Sequence, residues 1–429
     1  MSEKTILVWF RNDLRVHDNE ILFEATRKAE KVLPVYIFDP FYFKTIDSGI
    51  LKTGNIRAKF LLESVADLRR NLQRLGGELV IGIGNPAEII PQLAQQYQVC
   101  EVYHHREVAF EETQISENVE AALWKIKLNL KHFIGHTLYH KEDLPFPIKD
   151  IPDSFSVFKK KVERDSEVRP CIETPENISV PQIEDAGNIP TLADLELTDP
   201  IEDPRADFIF EGGETNGLQQ LEQYILNIAR NGAGKAAKHI PSRLSAWISL
   251  GCLSMRWVYR ELTQDSHNSN SPLVLELLWR DYFRFMFKKH GKQFCNADKL
   301  MKNDTSEPPS NQDELFEQWK TGNTGAPYID ASMHQLNSTG YIGNANRQIV
   351  ADFLANHLKV DWARGAAYFE EKLIDYSPAS NQGNWTFLAG LNNDPRDNRY
   401  FLSAKQVAEI KAQNQFISTW LPEVITEQV

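Results

Sequence analysis

Three residues on one segment have the chemistry to bind a flat, polar molecule. Glu276, Trp279 and Arg280 stand at i, i+3 and i+4 within a strongly periodic helical stretch, so they share one helical face. That face offers a carboxylate that accepts hydrogen bonds, an indole for stacking and a guanidinium for an anion. A core tryptophan beside a paired arginine is the alternative explanation of the same spacing.

A second segment has the composition of an anion site. Ser242, Arg243 and Ser245 follow a proline at the predicted start of a helix. Backbone N–H groups at such a start, together with hydroxyls and a guanidinium, can bind phosphate. A serine that merely caps the helix is the alternative.

Several turns between predicted helices are rich in Asn, Gly and Trp, at 324–333, 339–348 and 375–385. They are too polar for connections that only reverse the chain, and loops of this composition commonly carry function. The chain has no Ser-His-Asp, Cys-His or metal-spaced cluster, so neither a nucleophilic enzyme nor a metal site is predicted. It also lacks the G-x-G-x-x-G and Walker fingerprints.

The predicted elements that position these residues change along the chain. Apolar runs at 5–9, 32–37, 78–82, 100–103 and 131–134 alternate with helical periodicity, which predicts a doubly wound parallel sheet. A proline-rich stretch follows, and after it almost every segment has helical period. We therefore predict an α/β domain at 1–140, a connector at 141–214 and an all-α domain at 215–429.

Composition limits the function classes. The 429 residues carry a net charge of −12, but residues 221–300 hold twelve basic and six acidic residues, a local excess of +6. Such an excess suits phosphate contact or is simply a solvated helical face. No apolar run approaches the ~18 residues of a membrane span, and no signal peptide is evident. The four separated cysteines predict reduced thiols and a cytoplasmic protein.

Taken together, these segments resemble the photolyase and cryptochrome family over nearly the whole chain. The Arg-Asn-Asp-Leu-Arg stretch at 11–15 resembles the family's opening strand exit. The runs at 137–146, 211–214 and 392–399 resemble its DASH branch. Because the chain is shorter than most DASH proteins, it is also similar to the compact short photolyase-like proteins.

The resemblance implies FAD in the helical domain. The implied diphosphate ligands are Ser242, Arg243, Leu244 and Ser245, with Arg280 as a second charge and Asn344 nearby. Arg347 and Asp375 would form an ion pair beside the isoalloxazine, and Asn381 would face its N5 atom. A neutral amide there hydrogen-bonds the reduced flavin without accepting its proton, which is the photolyase pattern.

The implied reaction is light-driven splitting of cyclobutane pyrimidine dimers, the activity of a deoxyribodipyrimidine photo-lyase. Glu276 and Trp279 match the residues that touch the extruded dimer, and Trp385 and Trp362 match the inner members of a tryptophan electron relay. Its exit tryptophan is missing, which leaves Trp319, Trp247 or Tyr376 as candidates. The two histidines of 6-4 photoproduct enzymes are replaced by Gly343 and Gln348, so that substrate is rejected.

The partner is predicted to be damaged DNA, bound by a monomer and preferred in single strands. Basic residues that grip duplex DNA in many photolyases are replaced here by His334 and Ala345. A DASH-type blue-light receptor without repair is the alternative, although no long C-terminal tail is evident. A structural or RNA-binding module that has lost FAD is a third hypothesis. The 106–112 segment resembles the part of DASH proteins that meets a folate antenna, or is a solvated helix start.

Overall fold

The computed structural model describes residues 3–46, 49–231, 240–264, 271–291, 309–388, 404–411 and 414–422. The 392–399 motif, Cys295 and parts of the basic 221–300 stretch lie outside these residues. The described residues form an α/β domain and a helical domain, which confirms the predicted fold class.

The α/β domain is built on five parallel strands in the order β3-β2-β1-β4-β5. They are β1 (Thr5–Phe10), β2 (Lys31–Phe38), β3 (Val80–Ile83), β4 (Val99–His105) and β5 (Leu130–Phe133). Every residue of β1 is buried, as its continuous apolar run predicts for a central strand covered on both faces. The strand order reverses between β1 and β4, and a crevice opens at the carboxyl ends of such strands.

Four helices connect these strands. They are α1 (Glu20–Lys28), α2 (Asn55–Arg74), α3 (Pro86–Gln96) and α4 (Phe110–Lys125). Asn19 and Asn85 cap α1 and α3 through their side-chain oxygens, which satisfies backbone donors that the first turn leaves open. Both caps directly precede the apolar-periodic residues, so the helices begin where the sequence predicts.

The proline-rich connector contains a helix that the sequence analysis did not predict. Helix α5 (Phe155–Asp165) buries Phe155, Phe158 and Val162. Four apolar positions in eleven residues, between Pro152 and Pro170, make a segment too short to stand out from a loop.

The helical domain follows from residue 214. Its helices are α6 (Glu214–Asn231), α7 (Ser245–Ser249), α8 (Met255–Thr263), α9 (Pro272–His290), α10 (Gln312–Thr321), α11 (Pro327–Thr339), α12 (Asn344–Asp352), α13 (Trp362–Lys372), α14 (Pro378–Leu388), α15 (Ala404–Lys411) and α16 (Asn414–Trp420). A π-helical turn, Phe353–His357, continues α12. Within the described ranges, no helix is both long and apolar enough to cross a membrane.

Buried polar residues that follow β1 join the two domains. Nδ1 of His17 lies 2.5 Å from the Glu214 carboxylate, and Arg15 donates to the Gly251 carbonyl over 2.9 Å. Asp18 forms an ion pair with Arg256 at 2.7 Å. The charged residues that follow the first strand therefore have a structural role, because they fix the carboxyl edge of the sheet against the helical domain.

Candidate functional site

A cavity of about 340 Å³ lies inside the helical domain. Its walls come from the segment before α7, one face of α9, the start of α12, and the loop and first turns of α14. The predicted site residues that line it are Ser242, Arg243, Ser245, Glu276, Trp279, Arg280, Asn344, Arg347 and Asp375. Residues from four separate stretches of the chain thus meet in one space.

Helix α9 carries the three residues that the sequence predicts on one helical face. Glu276, Trp279 and Arg280 all line the cavity, because positions i, i+3 and i+4 share a helical face. Loss of water around the Glu276 carboxylate raises its pKa, and Arg347 partly opposes this shift. The helix approaches α14 closely: a Cβ on Gly383 would lie 2.3 Å from the Phe283 ring.

Arg280 is a half-buried cation with unused hydrogen-bonding capacity. Its Nη1 donates to the Ser377 hydroxyl over 3.0 Å, whereas its Nε is buried without a partner. Burial, with nearby Arg284, lowers the pKa of Arg280 to about 10. A half-buried guanidinium with no carboxylate at hydrogen-bond distance among the described residues is a strong anion-binding group.

Arg347 and Asp375 form an ion pair on the cavity wall. Arg347 Nη2 donates to Asp375 Oδ2 over 2.8 Å, and its Nε donates to the Ile342 carbonyl, also over 2.8 Å. Burial alone would lower the pKa of Arg347, but Asp375 raises it. The other carboxylate oxygen, Oδ1, is buried without a partner, so the pair can still accept a hydrogen bond from a ligand.

The predicted diphosphate segment is only partly arranged as expected. Ser242, Arg243 and Ser245 line the cavity, but the Leu244 side chain is fully buried in the apolar core. Arg243 has a left-handed backbone, with φ of +56°, and its guanidinium forms an ion pair with Asp207 and covers the Phe208 ring. Leu244 can therefore contribute only backbone atoms to a ligand, and Arg243 already has an acidic neighbour.

Asn381 lines a smaller, adjoining cavity of about 70 Å³. Arg347, Asp375 and Asn344 line both spaces, so the two are parts of one site. The Asn381 side-chain nitrogen donates to the Ala366 carbonyl over 3.0 Å. This bond fixes the amide and leaves its oxygen as the acceptor for a ligand.

Trp385 forms the deep end of the smaller cavity. It is only 1% exposed and packs against Phe369 and Trp319, with ring centroids 5.2 and 6.5 Å away. Trp362 belongs to the same apolar cluster, whereas Trp247 belongs to the core around α6. Trp319 is fully buried and donates to the Val350 carbonyl, so it contacts Trp385 without reaching solvent itself.

A second cavity, of about 330 Å³, lies between the domains at the carboxyl ends of β1, β2 and β4. Most of the 106–112 segment lines it, including Glu107, Phe110 and Glu112, whereas Arg106 is exposed. This is the crevice that the reversal of strand order creates.

The pKa values of two carboxyl groups in this second cavity are shifted in opposite directions. Asn12 Nδ2 donates to Glu107 over 3.0 Å and to Glu112 over 3.2 Å. Burial, with the neighbouring Glu107 charge, raises the pKa of Glu112 to about 7. Burial alone would raise the pKa of Glu107, but the nearby His136 and Arg284 lower it by a larger amount, so the net shift of the pKa is downward.

Known protein families and proteins are similar to this chain over nearly its whole length. A family model described as DNA photolyase matches residues 6–178, and one described as the FAD binding domain of DNA photolyase matches residues 273–427. Cryptochrome DASH from Gloeobacter violaceus is 43% identical, over 99% of this chain and 87% of that protein. The chain belongs to the photolyase and cryptochrome family, on its DASH branch. Cryptochrome DASH from Natronomonas pharaonis is 42% identical, over 98% and 90%.

Solved structures of this family have the same fold. A Synechocystis cryptochrome gives a TM-score of 0.89 at 38% identity, over 98% of this chain and 89% of that one. An archaeal photolyase from Sulfolobus tokodaii with two FAD molecules gives 0.79 at 27% identity, over 98% and 91%. The predicted family and its FAD cofactor are thereby confirmed.

The helical cavity of this DASH-branch protein suits FAD. Arg280 has a buried, unpartnered N–H for a diphosphate oxygen, and Asp375 has a buried, unpartnered oxygen for a ring N–H. Hydroxyls of Ser242 and Ser245 face the same space. Among the described residues, Arg280 Nε and Asp375 Oδ1 are thus a donor and an acceptor in this cavity that a flavin dinucleotide could satisfy.

Sequence reasoning missed several residues of the second cavity. Arg11, Asn12, Lys52 and Gln382 line it, and the Gln382 side-chain oxygen is buried without a partner. The signal that could have located Arg11 and Asn12 is their position directly after a central strand, at the edge where parallel α/β sheets bind ligands.

Proposed function

We propose that this protein is a DNA photolyase that splits cyclobutane pyrimidine dimers, with a preference for dimers in single strands. The observation that carries the proposal is that Glu276 and Trp279 line the same cavity as Arg280, Arg347 and Asp375. A dimer and a flavin bound there would share one enclosed space.

Each side chain has a distinct task in this proposal. Glu276 accepts or donates a hydrogen bond at the edge of the dimer, and its raised pKa makes the protonated form more accessible. Trp279 stacks on a ring of the extruded lesion, as aromatic side chains do with unpaired bases. Arg280 and the serines hold the diphosphate, and Arg347 and Asp375 hold the flavin ring.

FAD, when bound, reduced and excited by light, supplies one electron that breaks the two carbon–carbon bonds joining the pyrimidines, and this electron then returns. The protein transfers no atoms in this reaction. Asn381 presents an amide oxygen that hydrogen-bonds a flavin N–H without removing the proton. Trp385 lies at the deep end of the site, where it can pass an electron to the flavin from the aromatic cluster behind it.

The preference for single strands follows from the weak grip on duplex DNA. His334 is half-buried, with Nδ1 3.2 Å from the Trp420 carbonyl, so its ring is engaged within the protein. Ala345 carries no charge. Flipping a dimer out of a duplex costs a few kcal/mol, which backbone contacts must offset.

A photoreceptor without repair activity is the second candidate. The observation in its favour is that the curated relatives are called cryptochromes. In this case the same cavity would bind FAD, and the light signal would pass to a partner. Dimer repair by the purified protein separates the two functions.

We also propose that the cavity between the domains holds an antenna chromophore. The anionic carboxylate of Glu107 and the carboxyl of Glu112, whose pKa lies near 7, are joined by Asn12 and suit the adjacent N–H donors of a pterin ring, as in a folate. The second flavin of the Sulfolobus tokodaii photolyase is the other chemical precedent. Mass spectrometry of the extracted chromophore distinguishes a folate from a flavin.

We also propose that the protein is cytoplasmic and acts as a monomer. Cys100, Cys171 and Cys252 are free thiols, which is usual for a reducing compartment.

The deciding experiment illuminates the reduced protein with oligonucleotides that contain one dimer, in single- and double-stranded form. Samples kept in the dark are the control. We expect light-dependent repair that is faster on single strands. Light-dependent flavin chemistry with no repair of either form would overturn the repair function in favour of the photoreceptor.

A further inference from the structure

The connector helix α5 contacts the proposed lesion-binding tryptophan directly. The rings of Phe155 and Trp279 are stacked, with centroids 3.6 Å apart and an interplanar angle of 12°. Phe155 is fully buried, whereas Trp279 is partly exposed and lines the helical cavity. The two residues are 124 positions apart in the chain.

The segment just before Phe155 is fixed to the part of α9 that follows Trp279. The Tyr282 hydroxyl donates to the Asp153 carbonyl over 2.5 Å, one helical turn after Trp279. Lys289 donates to the Ile151 carbonyl over 2.7 Å and to the Asp153 carboxylate over 2.5 Å. The backbone before α5 therefore runs along α9, and these bonds hold Phe155 against Trp279.

Other rings enclose the indole edges. Tyr282 and Phe387 meet Trp279 nearly at right angles, with centroids 5.7 Å away in both pairs, and Phe283 packs at 5.3 Å. A face covered at 3.6 Å cannot admit another ring. A base in the cavity therefore does not stack on the face that Phe155 covers.

We propose that Phe155 is a positioning residue for lesion recognition: it stacks on one face of Trp279 and fixes the orientation in which the indole meets a pyrimidine at the cavity wall. This inference rests on the proposed dimer-binding function. It also makes the connector part of the binding site. Because the indole is held before the ligand arrives, binding does not have to restrict it, and affinity is higher for that reason.

The test replaces Phe155 by Met, which keeps most of the apolar volume but removes the ring. Phe158→Met is the matched control, because Phe158 is buried in the same helix, one turn later, and packs on Tyr282 and Phe285. Binding of single-stranded oligonucleotides with and without one dimer is measured by anisotropy for both variants. We expect Phe155→Met to weaken dimer binding about 3- to 10-fold, the range for loss of one aromatic pair, and Phe158→Met to change it less than 2-fold.

A double-mutant cycle with Trp279→Leu separates positioning from general stability. If Phe155 acts through the indole, Phe155→Met has no further effect on dimer binding in the Trp279→Leu background. An equal loss in both backgrounds would overturn the proposal. FAD absorbance verifies folding of each variant, and Phe155→Leu replaces the methionine variant if the latter does not retain flavin.

A second measurement does not depend on DNA. The protein is labelled with 5-fluorotryptophan, and the Trp279 resonance is assigned by its loss in Trp279→Phe. We expect Phe155→Met to shift and broaden this resonance while Phe158→Met leaves it unchanged; an unchanged Trp279 resonance in Phe155→Met overturns the positioning role. If the wild type binds no dimer but this shift occurs, the proposed repair function fails and the positioning of Trp279 by Phe155 stands.

Discussion

Arg280 and Ser377 form the partition between the two cavities of this protein. The guanidinium donates to the hydroxyl over 3.0 Å, and both residues line the helical cavity as well as the cavity between the domains. One half-buried cation therefore contributes to the electrostatic potential of both ligand spaces. Any change at Arg280 acts on both.

Arg280→Ala should weaken FAD binding by about 10- to 100-fold. Loss of a charge-assisted hydrogen bond to a buried diphosphate typically costs ~1.5–3 kcal/mol, and each ~1.4 kcal/mol is a factor of ten. The measurement is the ratio of flavin absorbance to protein after dialysis against a range of FAD concentrations. Arg164→Ala removes an exposed arginine paired with Asp165 and is the control. Full flavin occupancy in Arg280→Ala would exclude the diphosphate role.

Asn381→Asp should shorten the lifetime of the reduced flavin in air. A carboxylate in place of the amide repels an anionic reduced flavin and can accept its proton. Asn384→Asp is a closely matched control, because Asn384 lies on the same helix, lines the same cavity and donates to the Ser380 carbonyl. The lifetime is followed by absorbance after anaerobic photoreduction and admission of air. If both variants behave like the wild type, Asn381 does not face N5.

The helical spacing of α9 was enough to predict that Glu276, Trp279 and Arg280 share a face, because local geometry alone decides it. The stack of Phe155 on Trp279 was not predictable. It joins residues far apart in sequence, and it depends on a short helix whose four apolar positions resemble those of a loop. The Arg243 ion pair with Asp207 was missed for the same reason: only the tertiary fold brings the connector to the diphosphate segment. Local patterns therefore located the site, and long-range packing determined which side chains are already engaged.

Trp385→Phe should abolish photoreduction of the flavin, whereas Trp319→Phe should reduce its yield. Trp385 lines the flavin end of the site and contacts Trp319 at 6.5 Å, so Trp319 can share the positive charge left on Trp385. Trp362→Phe tests the other predicted relay member, and Trp247→Phe is the control, since Trp247 packs in a different cluster. The rate is read from flavin absorbance under blue light with an external thiol as electron donor. Normal photoreduction in Trp385→Phe would show that another residue is the immediate donor.

Glu112→Gln should alter how stability depends on pH. The pKa of Glu112 is raised to about 7 in the folded protein, above ~4.3 for an unfolded glutamate. The folded state then binds the extra proton between these values, so this group's contribution to stability is present at low pH and is lost as the pH rises toward 7.

The variant removes this contribution. Between pH 5 and 8 we expect the wild type to lose on the order of 1–3 kcal/mol more stability than Glu112→Gln. Urea unfolding at four pH values in this interval measures the difference. Parallel curves for the two proteins would mean that the Glu112 carboxyl is ionised throughout.

The last prediction concerns the form of the DNA substrate. A dimer in a single strand reaches the pocket without unpairing, whereas a duplex must be opened at a cost of a few kcal/mol. Contacts to phosphates would have to offset that cost, but Ala345 is uncharged, His334 is engaged with the Trp420 carbonyl, and the whole chain carries −12. At ~0.15 M salt, charges beyond ~8 Å are screened, so distant basic residues contribute little. We therefore expect the repair rate per enzyme to be at least several-fold higher on single strands.

Ala345→Arg should partly restore duplex repair and steepen the salt dependence of duplex binding by roughly one unit. Trp124→Arg adds the same charge at the far end of α4, where Trp124 is 72% exposed, and should change neither. Equal repair of both forms by the wild type would show that other residues grip the duplex.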